Sequence, residues 1–222
     1  MENLRQNTLN LRYQFIINYF TMKIAVIDYN AGNIQSVLFA LERLGVQAEL
    51  TANPETIASA DKVIFPGQGE ASSAMRHLRE RKLDLLIPTL KQPFLGVCVG
   101  MQLLCEFSDE NNTPCLGVIP QKVLKFPTTH QKVPQIGWNR LKVNKKQPTG
   151  DSILSTDLNK AWFYFVHSYY VEMGDYTTAT AEYGAEFSAC LRKDNFHAAQ
   201  FHPEKSSTAG EILLRNFLNI KH

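Results

Sequence analysis

A thiol, an imidazole and a carboxylate occur in this chain at positions whose type and spacing fit covalent chemistry. The thiol lies in Pro93-Phe94-Leu95-Gly96-Val97-Cys98-Val99-Gly100-Met101-Gln102. Pro93 to Val97 reads as a short buried strand and Met101-Gln102-Leu103-Leu104 as the opening of a helix, so Cys98 falls at the reversal between them. A strand that turns directly into a helix strains its apex residue, and the residues two before and two after nearly touch, so both must be small. Gly96 and Gly100 meet that requirement. The apex side chain would project above the sheet edge, with the first N–H groups of the helix aimed at any anion formed there. The alternative is a structural cysteine beside glycines that merely pack.

A nucleophilic thiol needs a base, and the base needs a group to orient it. His202-Pro203-Glu204 supplies both, because alternation along an extended segment puts His202 and Glu204 on one side while Pro203 fixes the backbone between them. Read alone, the same tripeptide could be a helix-capping Pro-Glu pair or carry an exposed histidine. A third element, Pro66-Gly67-Gln68-Gly69, ends a strand over Lys62-Val63-Ile64-Phe65. It lacks the spacing of a phosphate loop and could be only a tight turn, yet facing an elbow nucleophile its exposed N–H groups become candidates for an oxyanion hole. His77, His130 and His222 read as surface or terminal residues, His197 as a core or rim histidine, and His167 as a possible substrate contact at a strand end. A zinc site from His197, His202 and Glu204 lacks a further suitably spaced ligand, so no metal is expected.

The elements that must position these groups form a βαβ pattern. Met22 to Tyr29 opens it with a buried parallel-type strand, followed by a turn at Asn30-Ala31-Gly32-Asn33, a helical stripe from Ile34 to Leu44 ending at Gly45, and a strand near Val46 to Leu50. After Lys62–Phe65, residues Glu70 to Leu78 resume as helix. Ligands bind at the carboxyl ends of strands in such sheets, where both the glycine loop and the elbow fall. Ser108 to Thr113 is a polar loop, and β-like character runs from Gly117 to about Val143. Closely spaced strands follow at Trp162–Tyr170, Thr177–Glu182, Ser188–Leu191 and Phe196–Phe201, and a helix at Thr208–Ile220 closes the chain. The expected fold is α/β, an open mixed and mainly parallel sheet flanked by helices, flavodoxin-like, with antiparallel strands in the C-terminal half. Residues 1–21 break the pattern and read as an extension outside a 22–222 domain.

With 222 residues, 44% hydrophobic and 20% charged, the chain suits one globular domain, and a net charge of +2 gives no field for nucleic acid. Lys142, Lys145 and Lys146 read as a solvated hairpin end. Cys98, Cys105, Cys115 and Cys190 show neither C-x-x-C nor zinc spacing, which fits a reducing cytoplasm. Cys105 and Cys190 read as core thiols, Cys105 on the elbow helix. No apolar run is long enough to cross a bilayer.

Taken together, the Cys98 elbow, Pro66 to Gly69 and His202-Pro203-Glu204 resemble the class I (triad) glutamine amidotransferases. The segments Gly137-Trp138-Asn139, Phe165-Val166-His167-Ser168-Tyr169 and Phe201 to Ser206 are similar to one branch, the glutaminase subunits that serve imidazole glycerol phosphate synthase. The resemblance spans almost everything after Met22 and implies a cofactor-free hydrolysis of L-glutamine. Cys98 would be nucleophile, His202 acid and base, and Glu204 its orienting partner. Gly67, Gln68, Gly69 and Val99 would form the oxyanion hole, where Gln68 departs from the family's usual valine. Gln102, Glu110, His167, Ser168 and Tyr169 would meet the substrate. The branch forms heterodimers with a (βα)8-barrel cyclase that uses the ammonia in histidine biosynthesis, and Asn33, Trp138 and Lys205 would face that partner. Three alternatives are a paralogous subunit feeding another synthase, a non-catalytic scaffold and a free-standing thiol hydrolase.

Overall fold

In the computed structural model, which describes residues 22–29, 34–128, 131–144 and 151–221, the first half of the chain alternates strand and helix. Its order is Ile24–Ile27 (β1), Gln35–Arg43 (α1), Ala48–Thr51 (β2), Pro54–Ser59 (α2), Lys62–Phe65 (β3), Ala71–Glu80 (α3), Leu83–Leu86 (α4), Phe94–Val97 (β4) and Val99–Leu103 (α5). The punctuation follows local chemistry. Gly45, at φ +79°, closes α1 by giving its N–H to the Glu42 carbonyl. The Asn53 side chain caps α2 by accepting the Thr56 N–H at 2.7 Å, with Pro54 at the first helical position.

The second half is richer in strands: Cys105–Ser108 (β5), Thr113–Pro114 (β6), Ile119–Lys125 (β7), Gln135–Arg140 (β8), Lys142–Val143 (β9), Trp162–His167 (β10), Tyr169–Val171 (β11), Thr177–Glu182 (β12), Glu186–Lys193 (β13) and Phe196–Ala199 (β14), before the final helix Ser207–Asn219 (α6). The large sheet runs β2-β1-β3-β4-β14-β13-β11-β7-β5-β6, with β12 added on β13 and β9 on β12. From β2 to β14 every neighbour is parallel, and β1, β3, β4 and β14 are buried along their whole length, as strands covered on both faces must be. From β13 to β7 the pairing turns antiparallel. The mixed sheet with antiparallel strands in its later half is thus the expected one. No helix among the described residues is long and apolar enough to cross a membrane.

Three local expectations need correction. Trp162 to Tyr170 is not one strand: it breaks at Ser168, β10 pairing with β8 in a separate two-stranded sheet while β11 joins the large one. Alternation of side chains fixes which face a residue shows but not which sheet receives it. Cys105 is buried as expected but opens β5, because the elbow helix ends at Leu103. The elbow helix itself starts at Val99, directly after the apex, rather than at Met101. Expectations for residues 1–21, the turn with Asn33, His130, Lys145, Lys146 and His222 lie outside the described residues.

Candidate active site

Adjacent parallel strands β1, β3, β4 and β14 all end at one edge of the sheet, and the chain leaving each carries a different part of the site. After β4 comes Cys98, with φ 51° and ψ −111°, a strained backbone for a residue that has a Cβ. A Cβ on Gly96 would lie 2.9 Å from the Gly100 carbonyl oxygen, and one on Gly100 only 2.2 Å from that of Phe65. The two glycines are therefore needed for the reversal, as their spacing indicated. Cys98 donates its backbone N–H to the Ala199 carbonyl at 2.7 Å, which ties the elbow to β14.

After β3 comes the loop Pro66-Gly67-Gln68-Gly69, seated on the elbow. A Cβ on Gly67 would stand 2.4 Å from the Val99 nitrogen, so the loop backbone and the first N–H groups of α5 line one wall. After β1 comes Tyr29, whose buried hydroxyl donates to the Pro66 carbonyl at 2.7 Å and holds the root of that loop. Burial, then the nearby Cys98 sulfur, raise the Tyr29 pKa, which keeps the phenol a donor. Its place in a strand-end Asp-Tyr pair gave no signal of this contact.

After β14 comes His202, 1% exposed, whose Nδ1 lies 2.8 Å from Oε1 of Glu204, itself 5% exposed in its side chain. Pro203 starts a short 3₁₀ turn that brings the carboxylate back onto the ring, so the tripeptide is neither an exposed histidine nor a simple cap. Burial alone would favour the neutral imidazole, but the Cys98 sulfur and then Glu204 outweigh it and raise the His202 pKa. Nε2 faces that sulfur without completing a hydrogen bond of ordinary geometry. Such loose pairing is usual for a nucleophile and its base before substrate arrives.

These groups surround a cleft of about 490 Å³. The expected substrate residues Gln102, Glu110, His167, Ser168 and Tyr169 all line it, as do Gly67, Gln68, Gly69 and Val99, and Lys205 stands at its border. Their capacities differ. Gln102 commits both hydrogens of its amide, to the Tyr169 carbonyl at 2.8 Å and to Oε1 of Gln200 at 3.0 Å, so it can offer the cleft only its oxygen. Glu110 accepts the Ala71 N–H at 2.7 Å, and burial raises its pKa while that bond draws it back. His167 is part of the wall: Nδ1 donates to the Tyr169 carbonyl at 2.8 Å and Nε2 lies 3.0 Å from the Gln135 amide. Burial lowers its pKa to about 4 against the contrary pull of the Tyr169 bond, and the neutral ring is flanked by Phe126, Phe165 and Phe187.

Trp138 lies outside the cleft, 51% exposed on β8, where it packs edge-on against Tyr164 of β10. With Ile136 and Trp162 it forms an apolar face continuous with the cleft through Pro134 and Val166. Among the described residues no group of three or more His, Cys, Asp or Glu side chains is arranged to hold a metal ion. A buried thiol beside an oriented imidazole, with N–H donors next to it and carboxylate and amide oxygens in the cleft, is an arrangement that suits attack on a neutral carbonyl of a substrate that carries an ammonium group.

The chain is similar to known proteins over most of its length. The description "Glutamine amidotransferase class-I" matches residues 25–220. "Imidazole glycerol phosphate synthase subunit HisH" of Bacteroides fragilis (strain YCH46) is 51% identical over 206 residues, covering 90% of this chain and 100% of its own. The protein of the same name from Haemophilus influenzae (strain ATCC 51907 / DSM 11121 / KW20 / Rd) is 45% identical over 197 residues, covering 89% and 97%. Among solved structures, one described as a glutamine amidotransferase aligns with a TM-score of 0.67 at 21% identity over 88% of this chain and 96% of its own. PurLQS from Thermotoga maritima aligns at 0.66 and 16% identity over 89% and 98%. These two likenesses concern the fold.

Proposed function

The chain belongs to the class-I glutamine amidotransferases, and on that premise we propose that Cys98, His202 and Glu204 carry out its glutamine hydrolysis. The Cys98 sulfur attacks the side-chain amide carbon of glutamine while the thiol proton passes to Nε2 of His202. His202 gives that proton to the leaving nitrogen, the C–N bond breaks, and ammonia departs from a γ-glutamyl thioester. Water then loses a proton to His202 and attacks the thioester, and sulfur leaves and recovers the proton as glutamate is released. Glu204 orients the ring and stabilises the imidazolium formed in each half. The oxyanion accepts from the Val99 N–H and from the Gly67-Gln68-Gly69 loop. The free oxygen of Gln102 and the carboxylate of Glu110 take the substrate ammonium, with backbone groups at Ser168 and Tyr169 completing the cradle.

The observation that carries this reading is the Glu204–His202 pair, held at 2.8 Å with its second nitrogen turned to the Cys98 sulfur, at the strand edge where the elbow opens. The chain is the glutaminase subunit of imidazole glycerol phosphate synthase, and it supplies ammonia to histidine biosynthesis. Its partner in this proposal is a (βα)8-barrel cyclase bound in a heterodimer. The apolar face of Ile136, Trp138 and Trp162 supports such docking, with Lys205 at the seam, and a cytoplasmic setting accords with four unpaired cysteines. Glutamate release by the complex tests the reading. The Cys98→Ala chain is expected to bind the cyclase and release no glutamate, and wild-type turnover in that variant would refute the mechanism.

A further inference from the structure

Gln200 is fully buried directly after β14, and its surroundings give its amide a task. The parallel register that pairs Ala199 with Val97 sets Gln200 alongside Cys98. Its Nε2 stands 3.7 Å from the Cys98 sulfur, and its Oε1 accepts from Nε2 of Gln102 at 3.0 Å. The amide cannot be turned over without loss. Gln102 also donates to the Tyr169 carbonyl, a pure acceptor, which fixes Gln102 as the donor and so fixes the Gln200 oxygen toward it. What remains for the sulfur is the Gln200 N–H. On the other side the sulfur lies 3.8 Å from the Val166 carbonyl, which can accept from a thiol but offers nothing to a thiolate. The two neighbours therefore have opposite preferences, and Gln200 is the one suited to the anion.

We propose that Gln200 is a catalytic residue that stabilises the anionic sulfur of Cys98 and links it to Gln102 in the substrate cradle. The proposal rests on Cys98 being the nucleophile. Ammonium captured by the Gln102 oxygen polarises that amide, strengthens its bond to the Gln200 oxygen and, through it, the bond to sulfur. Substrate binding and nucleophile readiness are thereby joined by a relay of side-chain amides that leaves the backbone in place.

The test is the rate at which iodoacetamide alkylates Cys98 in the full chain, resolved by mass spectrometry from the other cysteines. Gln200→Met keeps the length and removes both polar atoms, and its Cys98 alkylation at neutral pH is expected to fall about tenfold, with kcat for glutamine falling more than KM rises. Folded Gln200→Met that alkylates at the wild-type rate overturns the proposal. Should that variant fail to fold, Gln200→Asn keeps a neutral amide but is one methylene too short to reach from Gln102 to the sulfur. Wild-type alkylation in folded Gln200→Asn also overturns the proposal, and a comparable loss supports it. Glutamine turnover surviving in Cys98→Ala would instead sink the nucleophile assignment, a separate outcome.

Discussion

Replacing Glu204 by glutamine removes one charge from the site and almost nothing else. The side chain keeps its length, remains on the 3₁₀ turn after Pro203, and can still bond Nδ1 of His202. What is lost is a charge-assisted bond between two groups that are 1% and 5% exposed, so solvent cannot replace it. Hydrogen bonds to charged groups contribute about 1.5–3 kcal/mol, and this one is needed most when the ring carries the proton taken from Cys98. At about 1.4 kcal/mol per factor of ten, kcat for glutamine is expected to drop about ten- to a hundredfold. KM should change little, because Glu204 lies behind the ring and away from the cleft lining. Steady-state glutamate release in the presence of the partner measures both constants. A kcat within about twofold of wild type, or a loss confined to KM, would mean that the carboxylate does not serve the imidazolium.

Two further expectations follow from buried and exposed groups elsewhere. His197 is 2% exposed, and burial, then Arg192 and Lys62, lower its pKa to about 4 against the pull of Asp151. Its folded value lies below the unfolded one near 6.5, so stability is complete above about pH 6.5 and falls as acid protonates only the unfolded chain, by about 2 kcal/mol between pH 7.5 and 5. His197→Gln should remove that share of the acid loss in urea unfolding at the two pH values, leaving the parallel share of His167; an unchanged slope would contradict the assignment. Trp138→Ala should weaken cyclase binding about tenfold or more while sparing the isolated chain's fold, and calorimetric titration giving wild-type affinity would count against that face as the docking surface.

Much of the site could be read in the sequence because the requirements there are local and steric. An apex residue between glycines two apart, following a buried strand, leaves few other backbone paths, and the 2.9 Å and 2.2 Å approaches at Gly96 and Gly100 show why. His202 and Glu204 do meet, but not by the extended alternation expected of them: Pro203 opens a 3₁₀ turn, and that turn returns the carboxylate to the ring. Gln200 and Tyr29 were not. Each acts on a residue far away in the chain, and only the strand order β1-β3-β4-β14 makes them neighbours of the elbow and its loop. The same limit explains the break at Ser168: the apolar alternation of Trp162 to Tyr170 runs on, but the partners β8 and β7 belong to different sheets.

The central claim, that the Cys98 sulfur forms a covalent bond to the carbonyl carbon of glutamine's side chain, is tested most directly with a glutamine analogue carrying an electrophilic ketone in place of the amide. Mass spectrometry of the complex should find one equivalent attached at Cys98, with glutamate release lost in step and the labelling slowed by free glutamine. Labelling at any other residue, or full turnover with Cys98 modified, would contradict the account.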